Sequence, residues 1–146
     1  MEQILDMCEY FFRAHQIPVY LYRDGKGIAA FPEQPPSFYP TADLSTDFFS
    51  VNAVRCSVTM DNLFIGYIPL ERERIGFVLG PVSPVPYTEE QLAYLCARRG
   101  IPADEFEEFT HLVSSAPVYS YLGFLDIILF LNLVFNGKKL AHDDFF

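Results

Sequence analysis

The sequence predicts an α+β domain in which an antiparallel sheet of about five strands packs against an N-terminal helix and C-terminal helices. Two patterns predict it: apolar residues recur at helical spacing near both ends of the chain, and β-branched and aromatic runs separated by polar turns lie between them. With 146 residues and 51% hydrophobic composition, one domain can bury roughly 65–70% of its unfolded surface. We therefore expect one domain that needs no disulfide or metal to fold.

The first part of the chain predicts a helix followed by a hairpin. Apolar side chains recur every three or four residues over 2–15, which is typical of an amphipathic helix, and Pro18 ends the pattern. Two strand-like runs follow at 19–22 and 28–31. The Asp-Gly pair within 23–27 favours a tight turn between them.

A proline-rich crossing and three more strands are predicted next. Prolines cluster in the stretch from Pro32 to Ser50, which predicts a long ordered loop or a short-helix excursion, of the kind that often covers a ligand. Strand patterns then occur at 54–59, 63–70 and 75–79, with short polar connections that favour an antiparallel meander. Gly80-Pro81 is expected to end the sheet.

Three helices are predicted in the last third of the chain. Thr88 and Gln91 have the spacing of a capping box, and Gly100 is suited to the left-handed position that closes a helix. A second helix is expected over about 103–113. A third is expected over 117–136, with its proline in the first turn.

Charge and apolar content exclude some classes of function. The net charge of −9, from 19 acidic and 10 basic residues, argues against direct contact of this domain with nucleic acid, because phosphate contacts require an excess of Lys and Arg. The start of the chain is acidic, unlike a signal peptide, so we expect a cytoplasmic protein. The apolar stretch 118–135 contains Asp126, which predicts a buried helix or a helix–helix interface and no membrane span.

No catalytic, metal or cofactor motif is found. Cys8, Cys56 and Cys96 lie far apart among apolar neighbours, which is typical of small buried side chains in a reducing compartment. The three histidines are also scattered, and no phosphate-binding loop or nucleophile elbow occurs. The sequence therefore predicts a protein that is not an enzyme and carries no cofactor. A small enzyme would instead require Cys56, a histidine and a carboxylate in mutual contact.

Aromatic residues on the predicted strands are the candidate ligand-binding residues. They are Tyr20, Tyr22, Tyr67 and Phe77. Buried tyrosines need partners for their hydroxyl groups, so a tyrosine-rich sheet surface is compatible with an apolar pocket that holds a few polar groups. Strand alternation places Tyr20 and Tyr22 on the same face. The alternative is that these side chains only fill the core.

Four sequence features together resemble a known family. They are the hairpin Ile17-Pro-Val-Tyr-Leu-Tyr-Arg-Asp-Gly-Lys-Gly, the strand Ile75-Gly-Phe-Val-Leu-Gly-Pro-Val, the helix start Thr88-Glu-Glu-Gln and the step Gly100-Ile-Pro. In this order they resemble the N-terminal sensor region of AraC-type bacterial transcriptional regulators. The resemblance implies a GAF- or PAS-like sensor domain over 1–137. It also implies that 138–146 is a tail or the start of a linker to a helix-turn-helix region absent from this chain.

The leading hypothesis is therefore a non-catalytic regulatory domain. It would bind an unidentified small molecule between the sheet and the proline-rich crossing, and it would form a homodimer through the helix near 118–136. DNA binding would belong to the absent region. The alternative is a stand-alone protein-interaction module without a ligand pocket.

Overall fold

An antiparallel sheet forms the centre of the structure, a computed structural model that describes residues 1–44, 53–59 and 62–145. Its strands are β1 (Val19–Arg23), β2 (Lys26–Phe31), β3 (Arg55–Val58), β4 (Phe64–Leu70) and β5 (Ile75–Val82). Their order across the sheet is β2-β1-β5-β4-β3, and every neighbouring pair is antiparallel. The helices are α1 (Glu2–His15), α2 (Glu89–Arg99), α3 (Phe106–Ser114) and α4 (Tyr121–Asn136). The predicted fold class, an α+β arrangement with five strands and helices at both ends of the chain, is confirmed.

The hairpin and the meander were both predicted correctly. β1 and β2 are joined by a turn in which Asp24 and Gly25 have positive φ angles of 52° and 77°, the backbone conformation that favours Asp-Gly in two-residue hairpins. β3, β4 and β5 pair in sequence order. β1 pairs with β5 along its other edge, and this pairing joins the hairpin and the meander into one open sheet.

The predicted end of β5 was wrong. The strand continues through Gly80-Pro81 to Val82, and Phe64 pairs with Val82 beyond an irregularity in the register. Gly80 has a φ of +111°, and a Cβ atom there would lie 2.7 Å from the carbonyl oxygen of Phe64. A glycine at this irregularity lets the ladder bend and resume, so the Gly-Pro pair interrupts the strand without ending it.

The two faces of the sheet are covered differently. On one face, which we call the helix face, α1 and α4 pack over a cluster from several strands, among them Val19, Leu21, Ile68, Phe77 and Leu79. On the other, which we call the loop face, residues 32–44, which we call the covering segment, cover a smaller cluster, which we call the tyrosine cluster. Its buried members are Tyr20, Tyr22, Leu44, Ile65, Tyr67 and Val78. Strand alternation therefore sends neighbouring residues of one strand into two separate cores.

The helix boundaries follow from their capping groups. The predicted capping box is present at α2: the Thr88 hydroxyl accepts from the Gln91 backbone N–H, and the Gln91 side chain accepts from the Thr88 backbone N–H. Gly100 ends α2 with a left-handed φ of 61°. The second predicted helix divides into a 3₁₀ turn, Ala103–Glu105, and α3.

The predicted start of the last helix was wrong. Pro117 does not lie in its first turn; α4 begins at Tyr121, and Ser120 caps it by accepting a hydrogen bond from the backbone N–H of Gly123 at 3.0 Å. The backbone N–H of Tyr119 donates to the carbonyl of Ser83. This pairing and the serine cap hold the preceding residues outside the helix.

The segment after α4 packs back against the domain. Lys138 forms a 2.8 Å ion pair with Glu71, and the ring of His142 contacts the Asp126 carboxylate at 2.6 Å. A 3₁₀ turn, His142–Phe145, follows. Across the described ranges, no helix combines the length and the apolar character needed to span a membrane.

Candidate functional site

Three of the four predicted ligand-binding residues lie together on the loop face. Tyr20, Tyr22 and Tyr67 are all buried in the same cluster. The prediction that Tyr20 and Tyr22 share a face is confirmed. Tyr67 joins them because Tyr67 pairs with Val78 on β5, which in turn pairs with Tyr20 on β1.

The segment after β2 supplies polar partners for these tyrosines. The Tyr20 hydroxyl donates to Gln34 Oε1 at 2.9 Å, and the Tyr22 hydroxyl shares a 3.0 Å hydrogen bond with the Thr41 hydroxyl. The centre of the Tyr39 ring lies 5.1 Å from the centre of the Tyr20 ring and 6.2 Å from the centre of the Tyr22 ring. Burial raises the pKa of Tyr20, partly opposed by the positive charge of Arg99. The tyrosine cluster is thus uncharged at neutral pH, and the hydroxyl groups of Tyr20 and Tyr22 have hydrogen-bond partners in the covering segment.

Phe77 lies on the opposite face. The centre of its ring lies 6.1 Å from the ring centre of Phe11 on α1 and 5.2 Å from that of Phe135 on α4. It pairs with Leu21, whose side chain enters the same core. The structure therefore places Phe77 in the packing between helices and sheet, separate from the tyrosines. Strand register decides this, and the sequence does not show which residues of β1 and β5 face each other.

The predicted loop over Pro32–Ser50 is described as far as residue 44. In that part it forms two short 3₁₀ turns, Pro36–Phe38 and Pro40–Asp43. Residues 45–50 lie outside the described residues. In the described part Gln34, Tyr39 and Thr41 contact the tyrosines, so this segment covers the loop face; that it covers a ligand stays a prediction.

A groove of about 480 Å³ runs beside the tyrosine cluster, along the outer strand β2. Ala29, Ala30 and their neighbours on β2 line it from the sheet, Glu9 lines it from α1, and Glu33 belongs to the covering segment. The full lining is Glu9, Ile28, Ala29, Ala30, Phe31, Glu33, Gln34 and Tyr39. Burial, and then the nearby Glu33 charge, raise the pKa of the Tyr39 hydroxyl. The groove therefore has two small side chains, Ala29 and Ala30, at the middle of its strand and two glutamates beside it.

Sequence reasoning missed these groove residues. The strand Lys26–Phe31 contains an Ala-Ala pair and no motif typical of a binding site, so its sequence does not indicate a groove. What makes it distinctive is its place at the edge of the sheet, and the strand order is set by tertiary pairing. The covering segment is linked to the groove by Gln34, which lines it and also accepts from Tyr20.

A buried arginine is the second feature that sequence reasoning missed. Arg99, at the end of α2, is only 9% exposed. It donates to the backbone carbonyl of Phe38 at 2.9 Å, and its guanidinium lies 5.3 Å from the centre of the Phe109 ring. These contacts join α2, α3 and the covering segment in a third core. Arg99 thus anchors the segment that closes the tyrosine cluster.

The three cysteine thiols are shielded from solvent to different degrees: Cys8 and Cys96 are buried, and Cys56 is half-buried. Burial raises the pKa of Cys8 to about 12. It also raises the pKa of Cys56 to about 12, although a hydrogen bond with Tyr121 acts in the opposite direction. Burial raises the pKa of Cys96 as well, and the charge of Arg99 lowers it in part. A protonated thiol is a weak nucleophile and a poor metal ligand. In the part of the chain that the structure describes, no cluster of three or more metal-ligating side chains occurs.

The buried thiols predict a loss of stability at alkaline pH. In the unfolded chain a cysteine has a pKa of about 8.5, whereas burial raises the pKa of folded Cys8 to about 12. The contribution of protonated Cys8 to the free energy of unfolding is therefore fully present below about pH 8.5. It is lost as the pH rises towards 12, because the thiol of the unfolded chain loses its proton first. Urea unfolding at pH 8, 9.5 and 10.5 measures the decline. Cys8→Ala should decline less steeply, and identical slopes for both proteins would contradict the assignment.

Comparisons with protein-family models, with curated proteins and with solved structures found no match to this chain.

Proposed function

We propose that this chain is a regulatory domain that senses a ligand on one side of its sheet and self-associates through α4 on the other. The observation that carries this proposal is an exposed apolar surface on α4. We define the α4 surface as the exposed side chains of Leu122, Phe130, Leu133 and Val134 together with half-buried Leu129; exposed Asp126 lies between Leu122 and Phe130 along the helix. It lies opposite the side of the helix that packs on the sheet.

The α4 surface follows from the spacing of apolar residues around the helix. Phe124, Ile128 and Leu131 face the sheet and are buried. On the opposite side Phe130 is 64% exposed and Leu122 is 50% exposed. A helix that is apolar on all sides usually buries more than one side. An exposed apolar stripe on such a helix is typical of an interaction surface.

A second copy of the chain is the partner that this surface fits best. In a twofold-symmetric dimer the same patch meets itself, so each side chain contributes twice to the interface. Complete burial of a Leu or Phe side chain stabilises by about 1.5–3 kcal/mol. The Asp126 carboxylate within this surface already has the His142 ring at 2.6 Å as a partner. A symmetric contact would therefore bury Asp126 together with this partner, among otherwise apolar side chains.

The same helix packs closely enough on the sheet to respond to changes in the position of β4. Gly66 of β4 lets α4 approach closely: a Cβ atom there would lie 2.7 Å from the Ile128 side chain. The tyrosine cluster lies on the reverse side of the same strand, through Ile65 and Tyr67. A ligand that repositions the covering segment would change the packing of β4, and this would reach the α4 surface.

The resemblance to AraC-type regulators is the basis for proposing that the domain controls transcription. In that proposal the domain controls transcription in the cytoplasm through DNA-binding helices outside this chain. The acidic charge of −9 supports a division of labour in which this domain does not hold the phosphate backbone itself.

Sedimentation at several protein concentrations tests the self-association. The wild-type chain should show a reversible monomer–dimer equilibrium. Phe130→Glu should weaken it by at least about tenfold, because it places a charge in the interface core. Phe106→Glu is the matched control: Phe106 is also a partly exposed phenylalanine, on α3, and its replacement should leave the equilibrium unchanged.

Two results would contradict the dimer. One is a wild-type chain that remains monomeric at the highest concentration tested. The other is an equal effect of the two glutamate variants, which would indicate that charge alone, and not the α4 surface, controls association. Far-UV circular dichroism of each variant checks that the fold is retained.

A further inference from the structure

The outer edge of β2 is a strand edge without a strand partner among the described residues. β2 pairs with β1 on one side and stands first in the strand order. In an antiparallel sheet, alternate residues of an outer strand direct their backbone N–H and C=O groups away from the sheet. Such an edge can pair with another extended chain. Proteins usually protect it with a covering element, a proline or an inward charge.

A groove runs along this edge. Four consecutive β2 residues, Ile28 to Phe31, line the groove, which corresponds to about 13 Å of strand. Ala29 packs towards the helix face and Ala30 towards the loop face. Because strand side chains point to the two faces of the sheet, they leave the hydrogen-bonding edge of β2 accessible to a neighbouring strand. Glu9 on α1 stands at one wall, and Gln34 and Tyr39 stand at the other.

The charge of the groove favours a basic occupant. Glu9 and Glu33 are both exposed lining residues. Arg13 forms a 2.8 Å ion pair with Glu9 and so neutralises part of that charge. Glu33 therefore contributes most of the anionic character. The chain as a whole adds a net charge of −9, which attracts cationic partners and repels acidic ones.

We infer that β2 binds an extended peptide segment rich in Lys or Arg, which adds to the sheet as a sixth strand beside β2. Backbone hydrogen bonds to the strand edge supply the general affinity in this mode of recognition, and side chains that alternate between the two walls supply the specificity. The inference rests on the sensing role proposed above and names its ligand class.

The position of the groove explains how binding would be sensed. An added strand would contact Tyr39 and Gln34 on the groove wall. Those two residues also hold the tyrosine cluster, through the ring contact of Tyr39 and the hydrogen bond between Gln34 and Tyr20. Occupation of the groove would thus act directly on the buried side chains that lie across the sheet from α4.

Fluorescence anisotropy with labelled hexapeptides tests this inference. The first probe alternates lysine and valine, and the second replaces each lysine by glutamate. The third is the lysine–valine peptide with backbone N-methyl groups at alternate positions on the edge that faces β2. N-methylation removes the backbone donors while the charge stays the same. Amide hydrogen exchange of residues 28–31 with and without the first peptide locates the binding edge.

The inference expects micromolar binding of the lysine–valine peptide and slower amide exchange in β2. Glu33→Lys should weaken this binding by about fivefold or more, since it replaces an attraction by a repulsion. Glu107→Lys makes the same change of charge at an exposed residue of α3 and should leave the affinity unchanged. The N-methylated peptide and the glutamate peptide should bind at least about tenfold more weakly.

The inference is overturned if the lysine–valine peptide does not bind at about 1 mM, where specific recognition would be negligible. It is also overturned if N-methylation has no effect, because binding would then be electrostatic adsorption. Equal effects of Glu33→Lys and Glu107→Lys would overturn it as well. Repeating the titration with Phe130→Glu separates the two proposals: peptide binding by a monomeric variant supports the groove even if the dimer fails.

Discussion

Replacement of Phe77 by alanine is expected to lower the free energy of unfolding by about 3–5 kcal/mol. Phe77 is fully buried on the helix face and contacts Phe11 and Phe135. Alanine would leave a cavity where α1, α4 and the sheet meet, and the packed neighbours could fill it only in part. Urea unfolding followed by circular dichroism measures the change.

The control for this prediction is Phe77→Leu, which retains most of the apolar volume. It should cost about 1–1.5 kcal/mol, because the shape changes while the cavity stays small. The same variants separate a core role from a ligand-binding role. If Phe77→Ala left stability unchanged and altered only ligand binding, the assignment of Phe77 to the helix-face core would be wrong.

Replacement of Arg99 by alanine is expected to lower the free energy of unfolding by about 2–4 kcal/mol, from a buried carbonyl left without its donor and a lost contact with an aromatic ring. The carbonyl is that of Phe38, and the ring is that of Phe109. Since Phe38 lies in the covering segment, the loss should also loosen the contacts of Tyr39 with the tyrosine cluster.

The neighbouring Arg98 provides a matched control. Its side chain is exposed and lies 3.4 Å from the hydroxyl of Tyr94 on the same helix. Arg98→Ala removes the same charge from the same turn of α2 and should change stability by no more than about 0.5 kcal/mol. Thermal and urea unfolding of both variants measure the difference. Equal losses would show that the charge of α2, and not the buried contacts of Arg99, accounts for the effect.

Most secondary structure was predictable because its signals are local. The Asp-Gly turn requires only two residues, and the Thr88–Gln91 capping box requires four. Errors occurred where two local signals compete. At the start of α4, the Ser120 cap prevailed over the helix-favouring position of Pro117, and a glycine at a strand irregularity let β5 continue through Gly80-Pro81.

The candidate site was predictable only in part. Tyr20 and Tyr22 share a face because the period of a strand is two residues, and this holds whatever the strand pairs with. Phe77 could not be placed, because its position relative to Tyr20 depends on the register between β1 and β5. The groove beside Ala29 and Ala30 was not visible either, since it exists only because β2 is an outer strand.

By itself, the sequence determined an α+β chain with a hairpin, a meander and capped helices, an acidic net charge, and a last helix that is apolar on all sides. These properties depend on composition and on spacing within a few residues. The tertiary structure alone decided which strand lies at the edge, which aromatic side chains meet, and that Arg99 is buried against the covering segment. The physical reason is that strand order, register and packing join residues far apart in the chain, and no local pattern records those pairings.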